Sequence, residues 1–186
     1  MKIYFLGGSF DPPHLGHLGI AEYCIPHCDK FLFIPAKQSP HKENIPFASN
    51  NDRIAMLDIM SKSNPKIEID TFEIESNSTN YTLHTVEHLE EKYPQSELTM
   101  VIGLDQLKRI KEWYKINSLL KRVKVICFNR DGIEKNNLDK VEIIPDFKIV
   151  VSSTEIRKLL AQNNTKVHKY LDNKVYNFIK RKQLYL

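Results

Sequence analysis

A chain of 186 residues that is 41% hydrophobic and 27% charged can bury a substantial core in one domain, and its composition excludes a disordered, collagenous or membrane-embedded chain. It opens on an apolar strand-like run instead of a basic segment with a cleavage site, and nowhere do about 18 apolar residues run together; a cytoplasmic protein is expected. Cys24, Cys28 and Cys127 make an odd count that argues against a disulfide framework. The net charge of +4 gathers partly in lysines and arginines near the C-terminus, and with no nucleic-acid motif beside them solvated helix faces account for most of it.

In chain order, the first element is a strand over Ile3 to Leu6 that empties into Gly7-Gly8-Ser9-Phe10-Asp11-Pro12-Pro13-His14-Leu15-Gly16-His17. Two residues without a Cβ let the backbone turn sharply and come close to a ligand. Pro12 and Pro13 fix φ and lack N–H donors, which suits the start of a helix, here predicted over His14 to Cys24. On it His14 and His17 share a face, while Leu15, Leu18, Ala21 and Tyr23 turn toward a core. Two imidazoles at the positive end of a helix dipole suit phosphoryl oxygens. A tight turn and two surface histidines would be the plain alternative. Zinc is disfavoured, because His-x-x-His lacks the i,i+4 spacing and the general-base Glu of the helical zinc motif. Cys24, His27 and Cys28 likewise read as packing and surface residues.

Further strands are predicted at Lys30 to Ile34, Ile67 to Asp70, Leu98 to Ile102, Val123 to Phe128 and Val141 to Ile144. Between and after them come helices at Asn51 to Ser61, Thr82 to Lys92, Leu104 to Trp113, Ile116 to Leu120, Thr154 to Gln162 and Asn173 to Arg181. Polar stretches at Pro35 to Asn51 and Arg130 to Lys140 read as loops, the first of them mobile. Near-continuous apolar strands alternating with helices predict a doubly wound parallel α/β sheet, Rossmann-like, with ligands beyond the carboxyl ends of its strands. Ile149 to Arg157 reads as a strand ending in Ser152, Ser153 and Thr154 at a helix start, with Ser152 or Ser153 as N-cap. Capping alone would explain those hydroxyls, and phosphate binding is the functional reading.

Taken whole, Gly-Gly-Ser-Phe-Asp-Pro-Pro-His-x-Gly-His resembles the first signature of the nucleotidyltransferase superfamily with the (T/H)xGH motif, and Ser-Ser-Thr-x-Ile-Arg resembles its second. Within it the chain most resembles the nicotinate-nucleotide adenylyltransferases along nearly its whole length. Pro40-His41-Lys42, Asn80-Tyr81-Thr82, Gly103-Leu104-Asp105, Trp113-Tyr114 and Val175 to Tyr185 carry that likeness. It implies transfer of adenylyl from ATP, with Mg²⁺, to nicotinate mononucleotide, with His17 and His14 stabilising charge at the α-phosphate. It further implies that Gly7, Gly8, Ser9, Phe10, Gly103, Asp105, Ser152, Ser153, Thr154 and Arg157 bind ATP, Asp105 through the ribose and Arg157 through the β- and γ-phosphates. Lys42 would meet the mononucleotide phosphate, Trp113 would stack on the pyridine ring, and Thr82 and Tyr114 would lie by its carboxylate. Departures from the family pattern fall at Leu104, at Thr79-Asn80 and at Asn129 to Gly132. Competing readings are a pantetheine-phosphate adenylyltransferase, a non-catalytic nucleotide-binding module of the same fold and, more remotely, a nucleic-acid binder. A homo-oligomer is left open.

Overall fold

Six apolar, β-rich runs pair into one sheet. In the computed structural model, which describes residues 1–37, 45–76, 81–129, 141–145, 147 and 151–186, the strands are β1 (Lys2–Gly8), β2 (Lys30–Pro35), β3 (Ile67–Ile69), β4 (Glu97–Gly103), β5 (Val123–Phe128) and β6 (Val141–Ile144). Their spatial order is β3-β2-β1-β4-β5-β6 and each pairing is parallel. Parallel neighbours need crossover connections, and from β1 to β5 helices supply them: α1 (Leu15–Cys24), α2 (Asn50–Ser61), α3 (Phe72–Glu75), α4 (Thr82–Lys92), α5 (Leu104–Lys108) and α6 (Ile116–Arg122); α7 (Ser153–Ala161) and α8 (Asn173–Lys182) follow β6, and 3₁₀ turns stand at Ile25–His27, Ile110–Glu112 and Thr165–Lys169. None of these helices is long and apolar enough to cross a membrane.

Strand alternation divides the core in two. Leu6, Phe31, Phe33, Val101, Ile126 and Phe128 pack on one face with residues of α1, α2, α7 and α8. Their neighbours Phe5, Leu32, Ile34, Met100, Ile102 and Cys127 pack on the other with residues of α4, α5 and α6. A period of two therefore loads both faces, which is why the strands read as unbroken apolar runs. From β1 the chain goes outward to β2 and β3, then returns to place β4 on the other side of β1. The carboxyl ends of β1 and β4 thus flank the switch point, where a doubly wound sheet binds its ligands.

Three expectations need correction. Leu104 to Trp113 is not one helix: α5 stops at Lys108 and a 3₁₀ turn follows. Leu104, Leu107 and Ile110, all buried, recur every third residue, the period of a 3₁₀ helix. Tyr23 is 43% exposed, whereas Gly16, Ile20, Ala21 and Cys24 form the buried stripe of α1. It stands at the margin of that stripe and sets its ring edge-on to Phe128 at 5.3 Å, leaving its polar end wet. The short α3 lies where no helix was expected. Of the strand expected before Ser152, residues 149 and 150 lie outside the described ones, and Val151 is buried but not in a strand. The Arg130 to Lys140 loop and Gln38 to Asn44 of the Pro35 loop are likewise outside them. All three cysteines are buried, and burial pushes Cys24 up to about 12, as befits a packing thiol.

Candidate active site

β1 runs on through both glycines. A Cβ on Gly8 would sit 3.1 Å from the Phe10 ring, while nothing lies within 4 Å of one on Gly7. Gly8 therefore makes room for Phe10, whose φ of 48° is uncommon for a bulky residue. That turn sends the Phe10 ring into the core, 2% exposed, edge-on to His17 and Phe33 at 4.9 and 5.3 Å. Only the backbone of Phe10 is left to face a ligand.

Side chains from distant segments then take up the loop's carbonyls. Arg53 Nη1 donates to the Ser9 carbonyl at 2.6 Å, Arg157 Nη1 to that of Asp11 at 2.6 Å, and the Ser153 hydroxyl to that of Pro12 at 2.9 Å. Each bond engages the negative end of a peptide dipole that would otherwise repel an anion at the loop. Arg53 has no exposed surface; burial lowers its pKa and the Asp11 carboxylate works against that shift. Sequence reasoning passed Arg53 over. Yet it shares the buried stripe of α2 with Met56, Leu57 and Met60, at i, i+3, i+4 and i+7, and a charge in such a stripe is itself a signal.

His14 is the N-cap of α1 in extended backbone, and its N–H donates to His17 Nδ1 at 3.2 Å. An accepting Nδ1 carries no proton, so the hydrogen of a neutral His17 ring sits on Nε2. The two rings stack at 3.6 Å with 21° between their planes, His14 2% exposed and His17 half-buried.

At the switch point lies a cavity of about 350 Å³ that joins Gly7, Gly8 and Ser9 of the loop to Thr82, Asp105, Trp113 and Tyr114. Asp105 follows Gly103, where any Cβ would meet Asp105 Oδ1 at 2.7 Å, so a glycine there lets the carboxylate fold back over β4. Thr82 opens α4, whose N-cap Tyr81 makes no side-chain capping bond; the amides and dipole of that helix start face an anion's preferred position. Tyr81 stacks on Tyr114 at 4.6 Å, forming an aromatic wall beside Trp113. Glu73, Thr85, Gln106 and Arg109 also line the cavity and were not foreseen. Glu73 belongs to a helix of only four residues and has no periodic signal. Burial pushes its pKa up, partly offset by the Thr85 hydroxyl that donates to it at 2.7 Å.

Among known proteins, the cytidylyltransferase-like family profile matches residues 5–159. A protein of Listeria innocua named "probable nicotinate-nucleotide adenylyltransferase" is 35% identical over 186 residues, covering 99% of this chain and 97% of its own. The nicotinate-nucleotide adenylyltransferase of Bacillus subtilis is 33% identical over 189 residues, with 99% and 98% covered. The chain belongs to the nicotinate-nucleotide adenylyltransferase family. Its fold is also that of the Plasmodium falciparum nicotinic acid mononucleotide adenylyltransferase solved in complex with NaAD, at a TM-score of 0.82 and 21% identity over 99% of this chain and 97% of that one.

Set against the family's second signature, Ser152 caps α7 by accepting the Glu155 N–H at 3.2 Å. Ser153 is bonded to the loop, and Thr154 accepts from Arg157 Nη2 at 3.2 Å. The two signatures are thus one unit: Ser153 and Arg157 of α7 are tied directly to Pro12 and Asp11. His14, His17, Ser153 and Arg157 stand around this joint loop, whereas Thr82, Asp105, Trp113 and Tyr114 line the cavity, with Gly7 to Ser9 common to both. Lys42, along with Pro40, His41 and Asn80, lies outside the described residues.

Proposed function

We propose that this chain transfers the adenylyl group of ATP to nicotinate mononucleotide, forming nicotinate adenine dinucleotide and pyrophosphate in NAD biosynthesis. The observation that carries the reading is one cavity that runs from a glycine loop to the start of α4, whose N-cap side chain makes no capping bond, beside aromatic rings. Such a cavity suits a phosphate at one end and an aromatic acid at the other.

A phosphate oxygen of the mononucleotide attacks the α-phosphorus of ATP in line, the bond to the β-phosphate oxygen breaks, and pyrophosphate leaves with the electron pair. No side chain becomes covalently attached, so the protein contributes alignment and charge stabilisation. His17, with its proton on Nε2, donates to the α-phosphate, and His14 holds His17 in that tautomer by its backbone N–H. The amides of Gly7 to Phe10 and the Ser9 hydroxyl receive phosphate oxygens. The start of α7 and Arg157 receive the β- and γ-phosphates, and Asp105 accepts from the ribose hydroxyls. Thr82 and the α4 amides take the nicotinate carboxylate, Trp113 and Tyr114 flank the ring, and Lys42 meets the mononucleotide phosphate. Mg²⁺ arrives with the triphosphate as part of the substrate, liganded by phosphate oxygens and water as this hard cation prefers.

Pyrophosphate release from ATP and Mg²⁺, with nicotinate mononucleotide, nicotinamide mononucleotide or phosphopantetheine supplied separately, tests the reading. Fast release with nicotinate mononucleotide is expected. Release only with phosphopantetheine would replace the acceptor, and none with any acceptor would leave a nucleotide-binding module.

A further inference from the structure

Asp11 is the most heavily used side chain of the phosphate loop. It is 4% exposed, and four separate segments converge on it. Its Oδ2 accepts the Phe47 N–H at 2.8 Å and its Oδ1 the Ala48 N–H at 3.0 Å, which ties down the segment entering α2. Arg157 Nη1 donates to its main-chain oxygen and stands 3.8 Å from Oδ2. Arg53 supplies a second positive charge from α2. The fourth segment is the C-terminal tail, whose Tyr185 hydroxyl donates to Oδ1 at 2.7 Å across a separation of 174 residues.

That last contact is built, not incidental. Past α8 the chain reverses through Gln183 at φ 53° and Tyr185 at φ 61°, both left-handed and neither a glycine. At Gln183 this is the usual left-handed end of a helix, whereas for a bulky residue such as Tyr185 it is uncommon and needs supporting contacts. Burial and the neighbouring Asp11 push the Tyr185 hydroxyl far above its ordinary value, so it keeps its proton and can only donate to the carboxylate. The carboxylate so fixed lies within reach of the guanidinium assigned to the triphosphate.

We propose that Tyr185 is a positioning residue for ATP: by donating to Asp11 it sets the carboxylate that holds Arg157 and the phosphate loop in their nucleotide-binding arrangement, without itself touching the nucleotide. The proposal rests on the assignment of Arg157 and the loop to the triphosphate made above. Tyr185→Phe removes the hydroxyl and keeps the ring. Calorimetric titration with a non-hydrolysable ATP analogue and Mg²⁺ should show Kd about tenfold weaker, as for loss of a hydrogen bond to a charged group, with KM for ATP rising in parallel and KM for nicotinate mononucleotide within about twofold. In an Arg157→Lys background the same substitution should have little further effect, a coupling that general loosening of the tail would not produce. An analogue Kd within twofold of wild type, or factors for the two substitutions that simply multiply, would overturn the proposal. Because the titration needs no turnover, failure of the proposed reaction would appear separately, as wild-type protein that releases no pyrophosphate.

Discussion

The single hydrogen bond from His14 N–H to His17 Nδ1 gives the sharpest consequence at the scale of one residue, since it decides which nitrogen of His17 can donate. His17→Ala should lower kcat by about 10²-fold or more, the usual effect of losing one donor to developing charge. The half-buried ring contributes little to the core, so the melting temperature should move by only a few degrees; steady-state rates and a thermal melt on the same preparation decide it. A variant within threefold of wild type would remove His17 from the reaction. Trp113→Ala should raise KM for nicotinate mononucleotide by the equivalent of about 1–3 kcal/mol of ring stacking, with KM for ATP barely changed. At Glu73 burial raises the carboxyl pKa. The sign is then fixed: an acid that ionises at lower pH when unfolded loses folding stability as pH rises from the unfolded value toward the folded one. Glu73→Gln should accordingly gain stability over wild type in denaturant titrations at pH 8, with the advantage shrinking toward pH 4. An equal gap at both pH values would count against a strained carboxylate there.

At the scale of elements, the caps and the ends of strands carry the specificity. Asp172 accepts the Lys174 and Val175 N–H groups at 2.7 and 3.2 Å and so starts α8, the helix that delivers Tyr185. Asp172→Ala should cost about 1 kcal/mol of folding stability. Past the end of β3, Asp70 is 3% exposed and accepts from Lys92 Nζ at 2.9 Å and from the Phe72 N–H at 3.0 Å, with His88 Nε2 at 3.2 Å. Burial pushes its pKa up, but the Lys92 bond and the other partners outweigh burial and hold it below the ordinary carboxylate value. A carboxylate so depressed stabilises the fold above its unfolded pKa of about 4 and loses that contribution as pH falls through the folded value. Asp70→Asn should flatten the acid side of the stability profile and lower stability at pH 7; an unchanged acid slope would mean that other groups control it. Elements of ten residues or more, such as α1, α2 and α4, were legible because a helical period repeats within them. The four-residue α3 and the 3₁₀ turn after α5 were not, because a single turn holds less than one full period.

For the whole molecule, the sheet divides the apolar residues into two layers and places the cavity at the joint between the β1 and β4 ends. A nucleotide that reached from this cavity to the start of α7, as proposed above, would touch elements of both layers, so its binding energy should appear as global stability. Ligand at about 100 times its Kd adds roughly 2.7 kcal/mol, which for a chain of this size raises the melting temperature by about 5–10 °C. Scanning fluorimetry with the dinucleotide product should show that rise in wild type and a smaller one in Tyr185→Phe. An unchanged melting temperature at saturating product would contradict a site that spans the two layers.

What the sequence determined by itself is local. The parallel α/β order follows from apolar runs of strand and helix period, the glycine turn from Gly7 and Gly8 after a strand, and the start of α7 from Ser152, because each is set by residues within a few positions of one another. Only the tertiary structure decided that Phe10 turns inward, that the Ser153 hydroxyl serves the Pro12 carbonyl, and that Arg53, Arg157 and Tyr185 meet at Asp11 and its loop. Those partners are separated by 44 to 174 residues. No periodicity records such pairs, because they exist only once packing has met the entropy of closing the chain between them.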